Sequence, residues 1–219
     1  MPLAINTTAP DFLGQTTDGP IWFHNWIGDA WCVLFSHPKD FTPVCTTELG
    51  VAARMKAEFD RRGVKLIGLS VDRVDDHMRW SKDIQTAMGT APNYPLIGDV
   101  DLRIAKLYDM LPADAGDSAS DRTAVDNATA RTVFIIGPDK MIKATICYPM
   151  TTGRDFNEVL RVIDSLQMTA RHKLATPANW EQGENVVIVP SVSDAEARER
   201  HPDGWTSPLP YLRLVQAPA

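Results

Sequence analysis

Two strand-length apolar runs, Trp31 to Phe35 and Val64 to Asp72, constrain the fold of this chain more than any other feature. Each is followed by a segment of helical periodicity. Trp31-Cys-Val-Leu-Phe35 is continuous, as expected of a strand buried on both faces. From Glu48 to Arg62, Leu49, Ala52, Met55 and Phe59 recur at steps of three and four, which predicts an amphipathic helix ended by Gly63. Asp75 to Met88 predicts a second helix with Trp80 and Ile84 on its inner face. A strand–helix–strand–helix order of this kind specifies an α/β layer structure.

The remainder of the chain extends that pattern. Asp18-Gly19 marks an early hairpin, and Trp22 to Trp26 is an aromatic stretch expected over the start of the core. Tyr94 to Ile97 reads as a short strand, and Asp101 to Tyr108 as a short helix capped by Asp101. Pro112 to Ala130 reads as a long surface loop. Thr132 to Ile136 and Met141 to Tyr148 flank Gly137-Pro138-Asp139-Lys140, a hairpin signal. Asp155 to Met168 carries Phe156, Val159, Leu160, Ile163 and Leu166 at helical spacing. The sum is an α/β sandwich with a mixed central sheet. After Ala175 six prolines punctuate a tail with one strand-like run, Asn185 to Val189. We expect a main domain over residues 1–168 and a small appended domain over 169–219, lying against the body or a partner subunit.

A formal net charge of −6 argues against non-specific nucleic-acid binding, which needs a basic surface. No stretch approaches the roughly 18 apolar residues of a membrane span, and the N-terminus lacks the basic start and apolar core of a signal peptide. Cytoplasmic residence is the expectation. Cys32, Cys45 and Cys147 are few and odd in number, and no Cys-x-x-Cys pair occurs. A disulfide scaffold, a dithiol site and a zinc knuckle are therefore disfavoured.

The chemistry concentrates in Pro38-Lys-Asp-Phe-Thr-Pro-Val-Cys45, between the first apolar run and its helix. Thr42 stands at an N-cap position and Pro43 fits the first helical position, where a missing N–H costs nothing. Cys45 then falls in the first turn, where free N–H groups and the helix dipole favour a negative charge. A thiol so placed is expected to ionise more readily than a free cysteine, whose pKa is about 8.5. Thr42 could present its hydroxyl to the sulfur and a bound oxygen, and Pro38 could shield both from water. Arg131, heading a strand, is the best candidate for a cation, and Arg154 the second. Cys32 and Cys147 lie in apolar runs and are expected to be core residues. His24, His77, His172 and His201 show no metal-ligand spacing.

Pro38-x-x-x-Thr42-x-x-Cys45 resembles the active-site motif of the peroxiredoxins. The run Phe35-Ser-His-Pro-Lys-Asp-Phe-Thr-Pro-Val-Cys-Thr-Thr-Glu-Leu49 resembles their 1-Cys, peroxiredoxin-6 subfamily. So do Ser70-Val-Asp72, His77, Trp80 to Asp83, Tyr148 to Arg154 and Thr176 to Trp180. The resemblance implies a thioredoxin-like fold and a thiol-dependent peroxidase acting without metal, haem or flavin. It implies that Cys45 attacks a peroxide O–O bond, Thr42 orients the peroxide, Pro38 shields the site and Arg131 stabilises the developing charge. His37 and Glu48 would line the pocket and orient the arginines. The sulfenic acid left on Cys45 would be reduced by an external thiol (glutathione, a thioredoxin-like protein or another), since neither other cysteine sits where a resolving cysteine would. Subfamily members form homodimers, and a higher oligomer stays open.

Two other readings use the same thiolate: a redox sensor or chaperone-like protein, and, disfavoured by the missing second cysteine, a general thiol-disulfide oxidoreductase. Mammalian members of the subfamily are also phospholipases that use a serine in Gly-Asp-Ser-Trp-Gly. Here the corresponding stretch is Gly28-Asp29-Ala30-Trp31-Cys32, with no hydroxyl to act as acyl-transfer nucleophile, so no serine-type lipase activity is expected.

Overall fold

The computed structural model describes residues 3–111, 116, 126 and 131–218. The expected surface loop at Pro112 to Ala130 falls almost wholly outside them. The chain forms two compact units, Met1–Phe156 and Asn157–Ala219.

In the first unit, β1 (Leu13–Thr16) and β2 (Gly19–Trp22) form the hairpin that Asp18-Gly19 signals, and α1 (Phe23–Ile27) follows. Of the aromatic stretch, Phe23 is the buried ring, stacked 4.5 Å from Phe12, while Trp22 is 56% exposed. Next come β3 (Trp31–Ser36), α2 (Pro43–Arg54), α3 (Lys56–Arg61), β4 (Val64–Ser70), α4 (Val74–Met88), β5 (Leu96–Gly98) and α5 (Arg103–Leu107). The hairpin β6 (Arg131–Ile136) and β7 (Ile142–Tyr148) closes the series. Among the described residues these strands form one sheet in the order β2-β1-β5-β4-β3-β6-β7. β3, β4 and β5 run parallel, and β1, β6 and β7 pair antiparallel, so the sheet is mixed. The central strands β3, β4 and β6 are buried almost throughout, which is why they read as unbroken apolar runs.

Three local expectations need correction. The helix starts at Pro43, where Thr42-Pro43 places it, but it does not run unbroken to Arg62: it breaks at Met55 into α2 and α3. Helical periodicity continues across the break, so the pattern does not reveal it. The N–H groups at the start of α5 are met by Asp99, not by Asp101 as expected. Leu102 is in the left-handed region (φ 59°). Asp99 accepts from the N–H groups of Ile104 (3.0 Å) and Ala105 (2.7 Å), whereas Asp101 reaches only Arg103 N. Cys147, expected in the core, is exposed. β7 ends the sheet, and its residues beyond Ile142 are half-buried or exposed.

Close packing of α2 on α4 depends on Gly50. A Cβ there would come within 2.6 Å of Met88. α4 buries His77, Trp80 and Ile84.

The second unit holds most of α6 (Phe156–Arg171), then β8 (Leu174–Ala175), β9 (Val186–Ile188), α7 (Asp194–Arg200), β10 (Thr206–Leu209) and β11 (Leu212–Val215). The last four strands form a sheet in the order β10-β11-β9-β8. Sequence reading finds only β9, whose three residues lie within the apolar run Asn185 to Val189. The other short strands have no such run, and Pro208 lies inside β10, an edge position where a missing N–H is tolerated. This unit has a core of its own, with Leu174, Trp180, Val186, Ile188, Val192 and Ala197 buried together. Ser193 caps α7 by accepting from Glu196 N at 3.2 Å. No helix among the described residues is long and apolar enough to cross a membrane.

Candidate active site

The register of the sheet assembles the site. β6 runs antiparallel to β3, with Phe35 opposite Val133, so the start of β6 lies at the carboxyl end of β3. Arg131, the first residue of β6, pairs with Tyr148 at the end of β7. The loop leaving β3 at His37, the head of β6 and the chain leaving β7 therefore meet at one end of the sheet. That end, beyond the carboxyl termini of the parallel strands, is where open α/β sheets place ligands.

The loop turns into α2 through a strained residue. Phe41 has φ 55°, the left-handed region that a side chain with a Cβ disfavours, and its ring is 52% exposed. Thr42 follows in extended conformation at the N-cap position, and Pro43 is the first helical residue. The Thr42 hydroxyl does not cap the helix. It donates to the Lys39 carbonyl at 2.8 Å, leaving its lone pairs as acceptors. The Thr42 carbonyl accepts from Thr46 N and Thr46 Oγ1. Pro38 and Cys45 are buried.

Arg131 Nη1 donates to Cys45 Sγ at 3.5 Å and to Glu48 Oε2 at 2.5 Å, while Nε donates to the Met150 carbonyl at 2.8 Å. Arg154 grips the same carboxylate from another side. Its backbone N (2.8 Å) and Nε (2.9 Å) donate to Glu48 Oε1, and Nη2 donates to Oε2 at 2.7 Å. Nη1 of Arg154 donates to the Ser36 carbonyl, and the guanidinium lies over the Phe35 ring at 5.0 Å. All three side chains are buried. Burial alone would raise the Glu48 pKa. The Arg154 charge and hydrogen bonds, with the Arg131 charge, outweigh it and hold the carboxyl below its ordinary value. Glu48 is thus an ionised strut with an arginine on each side. The outcome is a buried thiol in the first turn of a helix, facing a guanidinium that is also anchored on Glu48 and on the Met150 carbonyl.

The sequence matches the AhpC/TSA family over residues 5–145 and the C-terminal domain of 1-Cys peroxiredoxin over residues 165–204. Peroxiredoxin-6 of Rattus norvegicus is 49% identical over 226 residues, covering 99% of this chain and 98% of the relative. This chain is a 1-Cys peroxiredoxin. The fold of yeast mitochondrial 1-Cys peroxiredoxin agrees with TM-score 0.92 at 45% identity, over 98% of this chain and 99% of the other. That of the C45S mutant of peroxiredoxin 6 of Arenicola marina agrees with TM-score 0.87 at 44% identity, over 99% of each. The main unit therefore has the thioredoxin-like fold, and the activity is that of a thiol peroxidase working through one peroxidatic cysteine and an external thiol.

Within this peroxiredoxin the structure brings Cys45, Glu48, Arg131 and Arg154 into direct contact, with Thr42 and Pro38 in the loop that delivers Cys45. His37 opens a second cluster that sequence reasoning missed. Its Nε2 is 2.8 Å from Asp40 Oδ1, and Asp40 Oδ2 is 2.6 Å from His77 Nδ1. Spacing along the chain does not reveal the cluster, because Asp40 and His37 lie 37 and 40 positions from His77. The signal available was its place on the same turn of α4 as the core residue Trp80. The cluster's nitrogen and oxygen atoms lie within 4.8 Å of one another. Its N···O distances are shorter than the roughly 3.3 Å that two ligands of one tetrahedral zinc would keep. They are the distances of shared hydrogens.

The other two thiols differ from Cys45 in setting. Cys32 is buried in β3, and burial pushes its pKa upward despite the charges of Lys65 and Lys140. Cys147 Sγ lies 3.6 Å from Thr132 Oγ1 on the sheet edge.

Proposed function

We propose that Cys45 is the peroxidatic residue and that Thr42, Pro38 and Arg131 form its immediate machinery. The contact between Arg131 Nη1 and Cys45 Sγ carries this reading. The Cys45 thiolate attacks one peroxide oxygen and forms an S–O bond as the O–O bond breaks. The departing oxygen leaves as alkoxide and takes up a proton, giving alcohol, or water from hydrogen peroxide, and Cys45 becomes a sulfenic acid. Negative charge grows on the oxygens during attack, and the Arg131 guanidinium stands where it can stabilise that charge. Thr42, its hydrogen committed to Lys39, serves as acceptor for the peroxide O–H. Glu48 and Arg154 hold Arg131 in place, His37 lines the site, and Pro38 keeps water from the sulfur.

An external thiol then displaces the sulfenic hydroxyl as water, forming a mixed disulfide with Cys45, and a second thiol releases the reduced enzyme. Glutathione or a thioredoxin-like protein fits this role. The yeast relative is described as resolved through glutathione and thioredoxin systems. Hydrogen peroxide and organic hydroperoxides are the proposed substrates, and antioxidant defence the proposed role. Mass spectrometry of Cys45 after one equivalent of peroxide, with each reductant then added in turn, tests the sequence of steps.

The chemistry is assigned to the main domain, and residues 169–219 are proposed as an appended domain that serves assembly. Homodimer formation is supported by β7, an outer strand whose edge has no neighbouring strand among the described residues. Three cysteines outside any disulfide fit a reducing compartment, which supports cytoplasmic residence.

A further inference from the structure

Asp40 lies between two imidazoles, and the hydrogen bonds fix the state of each. His77 Nδ1 faces Asp40 Oδ2 at 2.6 Å, and His77 Nε2 faces the Ile97 carbonyl at 3.1 Å. Both partners are acceptors, so both nitrogens carry hydrogen and His77 is an imidazolium. Asp40 Oδ1 accepts from His37 Nε2 at 2.8 Å. The Asp40 backbone N–H is itself tied to Asp72 Oδ2 at 2.8 Å, and the Ser70 hydroxyl braces that same oxygen. A hydrogen on His37 Nδ1 would meet no acceptor among the described residues, which leaves His37 neutral with its hydrogen on Nε2. Its Nδ1 is then a bare acceptor. That atom is buried and has no hydrogen-bond partner among the described residues.

His37 is tied to the reactive segment at two points. It directly precedes Pro38, and its ring packs 5.4 Å from that of Trp80. Trp80 Nε1 donates to the hydroxyl of Thr46, the residue after Cys45, at 3.3 Å.

We propose that His77 and Asp40 are positioning residues of the peroxidase site: the buried imidazolium fixes the carboxylate, and the carboxylate fixes the ring and tautomer of His37, keeping Nδ1 as an acceptor for a hydrogen donor entering beside Pro38. The logic is that of a carboxylate holding a catalytic histidine in one tautomer, extended by a second histidine that holds the carboxylate. The proposal rests on the reading of Cys45 as the peroxide-reducing residue. Around His77 the groups that bear on its charge are Asp40, Asp72, His37 and the Ile97 carbonyl.

The test is nitrogen-15 NMR of the imidazoles in the reduced wild-type protein at neutral pH, joined to peroxide kinetics. His37 should show an unprotonated Nδ1 and a protonated Nε2, and His77 should be protonated on both nitrogens. A protonated His37 Nδ1, or a neutral His77, overturns the proposal without any variant having to fold. In His77→Gln and Asp40→Asn, His37 should become a mixture of tautomers. The kcat/KM for peroxide should fall about tenfold or more, with an altered pH profile. If wild type consumes peroxide and His77→Gln matches it in rate, pH profile and His37 tautomer, the positioning role is wrong and the peroxidase reading stands. If wild type consumes no peroxide, the peroxidase reading fails first.

Discussion

Nη1 of Arg131 stands 3.5 Å from the sulfur of Cys45, across 86 residues of sequence. The same nitrogen is 2.5 Å from Glu48 Oε2, so the cation that faces the thiol is held by a carboxylate on the thiol's own helix. The contact with the sulfur therefore depends on the geometry of an arginine and not merely on its presence. Arg131→Lys keeps the charge but loses the planar fork that reaches Cys45, Glu48 and Met150 together. We expect the peroxide reaction to slow by about a hundredfold, the order found when one preorganised donor is lost. Single-turnover kinetics of the reduced protein checks this.

Glu48 separates charge from shape. Glu48→Ala leaves Arg131 and Arg154 buried without their shared counter-ion, and stability should fall by about 3–5 kcal/mol. Glu48→Gln preserves the volume and some hydrogen bonds, and should lose less stability while still slowing the reaction. Urea unfolding midpoints measure the first effect and peroxide kinetics the second.

The His37–Asp40–His77 cluster sets a pH window for stability. Burial alone would raise the Asp40 pKa, but hydrogen bonds from His37 and His77, with the charge of His77, lower it from 3.8 to about 2. A carboxyl depressed in the folded state contributes stability above its unfolded pKa and loses it as pH falls through the folded value. Asp40 should therefore contribute about 2 kcal/mol that disappears between about pH 4 and pH 2. His77 works in the opposite sense. Burial would lower its pKa, yet the Asp40 hydrogen bond and charge raise it above 6.5. Its contribution is complete below about pH 6.5 and fades as pH rises through the higher folded value. Denaturation midpoints across pH should show both limbs in wild type. In Asp40→Asn the acid limb should be shallower, since Glu48 still contributes to it, and the alkaline one lost.

The thiols should react in a fixed order of access. Cys147 is exposed and should be alkylated readily, whereas Cys32, buried and with its pKa pushed up, should stay unlabelled until the protein unfolds. Cys147→Ser should turn over peroxide with an external thiol at the wild-type rate. Peptide mapping after timed iodoacetamide treatment, and steady-state assays of the variant, provide the checks.

Much of the main unit was legible because its signals are local. Continuous apolar runs marked β3, β4 and β6, Asp18-Gly19 and Gly137-Pro138 marked hairpins, and Thr42-Pro43 marked the start of the helix that carries Cys45. Long-range pairing was legible only in part. A cation for Cys45 was expected from Arg131, but its double engagement with sulfur and Glu48 needs the register of β6 on β3. The His77–Asp40 contact was invisible because a carboxylate in a loop and a histidine on α4 share no sequence spacing. Cys147 misled because an apolar strand sequence looks the same at a sheet edge as in its centre. In the second unit, strands of two to four residues leave too few positions for any period to show.

The most direct test of the account is stopped-flow consumption of hydrogen peroxide by reduced wild type and Cys45→Ser. Wild type should show a fast phase of one equivalent per chain, and the variant should show none. A fast phase retained in Cys45→Ser would contradict the central claim.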